Sequence, residues 1–127
     1  MPMLGYDYAI VRVLPRVERG EQMNAGVILS CPSTGFLRAR FELDEAALRC
    51  LAPDVELAPI RAALAGIAAV CQGGAAAGAL GKLSARERFH WLVAPRSTSV
   101  QVSAVHTGRC SDLESALEDL MRKLVRR

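Results

Sequence analysis

Several chemistries are short of the residues they need. The four cysteines, Cys31, Cys50, Cys71 and Cys110, include no CxxC pair, which argues against a structural zinc site. Only two histidines are present, His90 and His106, with no HExxH, so a hydrolytic metal centre lacks its ligands. No GxSxG elbow surrounds Ser97, Ser99 or Ser103, so a serine nucleophile of that type is missing. No cofactor motif is found, and none is expected. The longest apolar run, residues 62–71, is about half of the ~20 residues a bilayer span requires. Charge of one sign is not in excess either: 16 basic residues face 13 acidic ones, for a net +3. Nucleic-acid binders usually carry a stronger basic bias. This balance permits an anionic ligand without demanding one.

What is present describes an ordinary globular chain. Its 127 residues predict one domain, 1–127, long enough to bury about two thirds of the surface of the unfolded chain. The apolar share is 51% and the charged share 23%, typical of soluble proteins. The alanine-rich middle and the preference for arginine over lysine match a high-GC bacterial coding sequence. The strand pattern starts at Tyr6 with no leader pattern ahead of it, so a cytoplasmic location with reduced thiols is expected. Cys31 and Cys71 fall on apolar faces and read as small core residues.

The hydrophobic pattern predicts an α+β domain. Residues 6–15 read as a strand apolar on both faces, hence central, and stopped by Pro15. A charged reversal through Gly20 leads to a second strand, 22–31, with Met23, Ala25, Val27, Leu29 and Cys31 on one face and Asn24, Gly26, Ile28 and Ser30 on the other. The turn at 32–35 feeds a third strand, 36–43, with Leu37, Ala39, Phe41 and Leu43 inward and Arg38, Arg40 and Glu42 outward. These three form an antiparallel meander. Asp44 caps a short helix, 45–51, and a longer helix covers about 57–72. Residues 73–81 are Gly/Ala-rich and read as a flexible linker or a mobile lid. A capping box at Ser84–Glu87 opens a third helix to about Val93. Residues 99–105 form a fourth strand, expected to pair beside the first. A second capping box at Ser111–Glu114 opens the last helix, with Glu118–Arg122 and Asp119–Lys123 as i,i+4 pairs. The expected architecture is a four-stranded, mainly antiparallel sheet, the meander plus one later strand, packed with helices.

Four groups carry chemistry. Gly81-Lys82 resembles the end of a phosphate loop, but Ala76 and Leu83 stand where the pattern needs Gly and Ser or Thr. Arg12 sits mid-strand among Tyr6, Tyr8, Ile10 and Leu14. It either snorkels or pairs with Glu21 or Asp7, or it faces an anion. Gly26 in a strand interior marks a bulge or a close backbone approach. Beside it, Asn24 either satisfies loose backbone groups or joins Glu21 and Arg12 around a polar pocket. Arg96, Ser97 and Thr98, with His106-Thr107-Gly108 further on, are residue types an anion or phosphate site uses. His106 is either structural or a proton donor and acceptor, whereas His90 reads as packing or surface.

The blocks YDYAIVRVLPRVERGEQMNAGVIL, WLVAPRST and VHTG, taken together, resemble the bacterial domain-of-unknown-function family 3037. The resemblance covers nearly the whole chain. The matching positions are Arg12, Glu18, Arg19, Glu21, Asn24, Gly26, Trp91, Arg96, Ser97, Thr98, His106, Thr107 and Gly108. Met23 and Ala25 stand where the family pattern has Val, a departure in packing rather than chemistry. The resemblance implies a partner, since members are encoded beside a kinase-like protein similar to the HipA toxin family. It implies no reaction type.

Three functional expectations follow. In the first, Arg12, Asn24, Arg96, Ser97, Thr98 and His106 line one pocket for a nucleotide- or phosphate-like anion. In the second, the chain is an accessory or antitoxin-like subunit of a kinase-like partner. In the third, it is a hydrolase or nuclease using Glu21 and His106 as acid and base. Oligomeric state and strand order are not set by the sequence.

Overall fold

The computed structural model describes residues 2–96 and 98–126. Strands β1 (Leu4–Val13), β2 (Met23–Cys31) and β3 (Phe36–Phe41) form the antiparallel meander. Helices α1 (Glu45–Leu51), α2 (Leu57–Gln72) and α3 (Ala85–Leu92) follow, then β4 (Val100–Val102), β5 (His106–Cys110) and α4 (Leu113–Leu124). The strand order is β3-β2-β1-β4, with β5 also on β1. The four-strand arrangement with the later strand beside the first is as expected.

The fifth strand is not. The expected strand 99–105 ends early, and the polar HTGRC stretch forms β5 against Leu4–Tyr8. Strands β4 and β5 run along one edge of β1 with a one-residue offset: Val11 opposes Val102, but Tyr8 opposes His106. The extra residue lies within 103–105 as a β-bulge. Ser103 repairs the ladder there. Its N–H donates to Ile10 O at 2.8 Å, and its hydroxyl accepts from Ile10 N at 2.8 Å. The side chain supplies the acceptor that the displaced backbone cannot, which explains a buried serine.

A second bulge interrupts β2. Val11 pairs with Gly26 but Arg12 with Asn24, leaving Ala25 as the inserted residue. The strand faces therefore switch. Met23 and Ala25 pack with Val11 and Val13 under α1, α2 and α3, whereas Val27, Leu29 and Cys31 pack under α4. The uninterrupted alternation expected for β2 is wrong for this reason, and Asn24 and Gly26 do not share a face. A Cβ on Gly26 would overlap the Phe41 ring and stand 2.5 Å from Arg40 O, so the close approach of β3 requires glycine here.

Both faces of the sheet are covered. On one, Val11, Val13 and Ile28 meet Leu48, Ile60, Leu64, Phe89 and Leu92. On the other, Val27, Leu29 and Cys31 meet Leu117, Leu120 and Met121. Because α4 lies there, Arg38 and Arg40 do not simply face water. Arg40 pairs with Glu114 at 3.2 Å and Glu118 at 2.6 Å, and Arg38 pairs with Glu114. Glu118 thus meets Arg40 and Arg126 instead of the expected Arg122, which pairs with Asp119. Asp119–Lys123 forms as expected, at 2.8 Å. The N-cap of α4 is Asp112, not Ser111, and it accepts from the backbone of Glu114 and Ser115.

The Gly/Ala-rich stretch is structured rather than a loose linker. Gly74–Lys82 coils as 3-10 turns kinked at Gly78. Arg88 ties down its ends, donating to Val70 O at 2.7 Å, Cys71 O at 2.8 Å and Leu83 O at 3.3 Å. The first two are carbonyls at the end of α2, where helix geometry leaves acceptors unpaired. No single helix among the described residues is long and apolar enough to cross a membrane.

Candidate functional site

The expected pocket residues divide between two faces of the sheet. Arg12 and Asn24 are register partners on the α4 face, and Gln101 opposes Arg12 from the other side. The three side chains form a row across β2, β1 and β4. Asn24 is fixed by donating its amide to Leu124 O at 2.9 Å, near the C-terminal end of α4. Gln101 donates to Thr98 O at 3.0 Å.

Arg12 is the unbalanced member of the row. Its Nε is buried, and among the described residues it is the buried side-chain nitrogen or oxygen without a hydrogen-bond partner. Neither Glu21 nor Asp7 answers it. Glu21 pairs with Arg19 at 2.6 Å, and Asp7 pairs with Arg86 at 2.6 Å. The nearby C-terminal end of α4 gives Arg12 a favourable field but no acceptor for Nε.

His106 lies on the same face, further along the strands. It opposes Tyr8, and its ring centroid is 5.4 Å from that of Tyr8. Tyr6 continues the line, 6.1 Å from Tyr8. Gly108 opposes Tyr6 across the ladder, and a Cβ there would come within 2.5 Å of the phenol. From Tyr8 to Arg12 is four residues of strand, or about 13 Å. His106 is thus beside the Arg12 row on the same face, not within it.

Arg96 and Thr98 are on the opposite face. Arg96 donates to Leu92 O and Trp91 O, each at 3.0 Å, and its guanidinium lies 4.3 Å from the Trp91 ring centroid. It therefore closes the C-terminal end of α3. Thr98 donates to Val100 O at 2.7 Å. Both line an apolar groove of about 300 Å³ between α2, the end of α3 and β4, with Ile67, Trp91, Val100 and Val102. Ser97 lies outside the described residues. The proposed single pocket is therefore not assembled: Arg12 and Asn24 come together, with His106 along the same face, while Arg96 and Thr98 form a second location.

The acid and base candidates do not meet. Glu21 precedes β2, whose Met23 opposes Val13, whereas His106 opposes Tyr8. Met23 and His106 thus attach five residues of β1 apart, or about 16 Å, and Glu21 lies two residues before Met23. The Arg19 hydrogen bond holds the Glu21 carboxyl below its ordinary range, which suits a structural ion pair and not a proton donor at neutral pH.

The sequence did not reveal the groove. Its walls come from α2, α3 and β4, which meet only in three dimensions. The available signal was Trp91 with Val100 and Val102, apolar residues bracketing the polar Arg96–Ser99 link.

None of the curated proteins or solved structures compared with the chain matches it. Residues 8–125 match the family described as protein of unknown function (DUF3037), a span that includes the Arg12 row, the Trp91 groove and α4, and the chain belongs to that family.

Proposed function

We propose that this domain binds an anionic group on the α4 face of its sheet, with Arg12 supplying the charge and Asn24 and Gln101 flanking it. One observation carries the reading: the buried, unpartnered Nε of Arg12. A buried donor without an acceptor costs about 1–3 kcal/mol, more for a charged group. An arriving carboxylate or phosphate supplies the missing acceptor through a charge-assisted bond. His106 and Tyr8 offer a ring surface farther along the same face, which suits an anion attached to a planar group. The hydrolase reading is weaker, because Glu21 is engaged by Arg19 and stands apart from His106.

Thermal shift with pyrophosphate, a nucleoside triphosphate and a dicarboxylate at millimolar concentration tests this. At least one anion is expected to raise the melting temperature of the native chain by several degrees. Arg12→Met should abolish that response, and Arg96→Gln, altered on the opposite face, should keep it. Binding of all three anions that survives Arg12→Met, or no response from the native chain, contradicts the proposal.

The accessory-subunit reading is favoured by a different observation. Trp91, 46% exposed, stands on the rim of an apolar groove.

A further inference from the structure

The groove beside Trp91 has features of a strand-addition site. Strand β4 ends the sheet on its side. Leu14 N donates to Ser99 O at 2.7 Å, and Ser103 N donates to Ile10 O at 2.8 Å. Strand alternation then turns the backbone groups of Val100 and Val102 away from β1, toward the open edge. The Val100 carbonyl is occupied by Thr98 Oγ1. Among the described residues β4 pairs with β1 alone, so the outward-facing Val102 N–H and C=O meet no other strand. The side chains of these same two valines form one wall of the groove, opposite Gly66 and Ile67 of α2. A hydrogen-bonding edge and an apolar slot therefore lie side by side, the combination by which extended peptides add to sheets.

Charge identifies the occupant. The groove lining contains one formal charge, Arg96, and no acid. Among the described residues Arg96 bonds main-chain carbonyls and lies over the Trp91 ring, with no carboxylate paired to it. We infer that β4 and the Trp91–Arg96 groove bind an extended peptide segment of another protein, one that pairs with Val102 and carries an apolar residue with an acidic residue two positions away. The residue opposite Val102 points its side chain to the groove face. Residues two apart share a face, so the next one on that face stands by Val100, at the Thr98–Arg96 end. There a carboxylate meets the guanidinium. The surface is on the opposite face from Arg12, so it stands or falls independently of the anion site.

Phage display of random peptides against the full chain, followed by fluorescence polarisation of the enriched peptides, tests this. The expected result is a shared apolar-x-Asp/Glu pattern. Affinity should drop at least tenfold in Trp91→Ser and in Val102→Pro. Proline at 102 removes an N–H that points away from β1, so the fold retains its own ladder. A circular dichroism melt of each variant verifies folding, and the Trp91→Ser result stands alone if the proline variant is unfolded. No enrichment over an unrelated immobilised protein overturns the inference. So do enriched peptides indifferent to both substitutions. Self-association of the chain that is lost in Trp91→Ser would instead make the occupant a second copy. Decanoate binding in the groove without peptide enrichment would make it a small acid, and either result overturns the peptide.

Discussion

Individual residues show where fold and function pull apart. Arg12 is expected to be unfavourable to the ligand-free protein, since it buries a donor with no acceptor. Arg12→Met should therefore stabilise the chain by about 0.5–2 kcal/mol in urea denaturation while removing the anion response. Destabilisation by that substitution would mean that the guanidinium is already satisfied. Ser103→Ala should do the reverse. It strips the Ile10 N–H of its acceptor and should cost about 1–3 kcal/mol. Gly26→Ala places a methyl against Arg40 O and the Phe41 ring, an overpacking that costs about 1–3 kcal/mol. The sequence marked Gly26 as a bulge or close approach, and both are present. What it could not show was which residue is inserted, and Ala25 gave no compositional signal. Thiol chemistry is also graded by position. Burial pushes the Cys71 thiol up to about 12, so in the folded protein a thiol reagent should modify exposed Cys50 well before Cys71.

Among the elements, α4 depends most on charge. Glu118 joins it to β3 through Arg40, and Arg126 joins it to Glu42 at 2.7 Å. Hydrogen bonds from Arg126 hold the Glu118 and Glu42 carboxyls below their ordinary range, and those from Lys123 and Arg122 do so for Asp119. A carboxylate whose pKa is depressed on folding contributes stability that is complete above its unfolded value, near pH 4.3 for Glu. That contribution is lost as pH falls through the folded value. Backbone amides of α4 should therefore lose hydrogen-exchange protection below about pH 4, ahead of those in β1 and β2. Equal loss in all three would show that the network does not hold the helix. The last helix was readable from Leu113, Leu117, Leu120 and Leu124, because its period is regular. Its placement over Arg38 and Arg40 was not, since alternating arginines on β3 look the same whether they face water or an acidic helix. Strand β5 was missed because HTGRC has no apolar alternation. It pairs through its backbone, with Gly108 chosen by the Tyr6 phenol.

At the scale of the whole molecule, covering both faces of the sheet divides the distinctive residues into two locations. The residue types expected of an anion site were legible in the sequence at Arg12, Asn24, Arg96, Thr98 and His106. Their separation was not, because strand alternation and the β2 bulge decide faces one residue at a time. The proposed anion site rests on the Arg12 Nε–H, a buried donor without an acceptor, whereas Arg96 donates through its two terminal nitrogens to carbonyls of its own helix. Arginine Nε–H NMR signals test it most directly, in a titration of the native chain with pyrophosphate and then with the nucleoside triphosphate. The Arg12 Nε–H and the Asn24 side-chain amide should move together on saturation, with the Arg96 Nε–H unmoved. A shift at Arg96 with none at Arg12, or no shift at either, would contradict it.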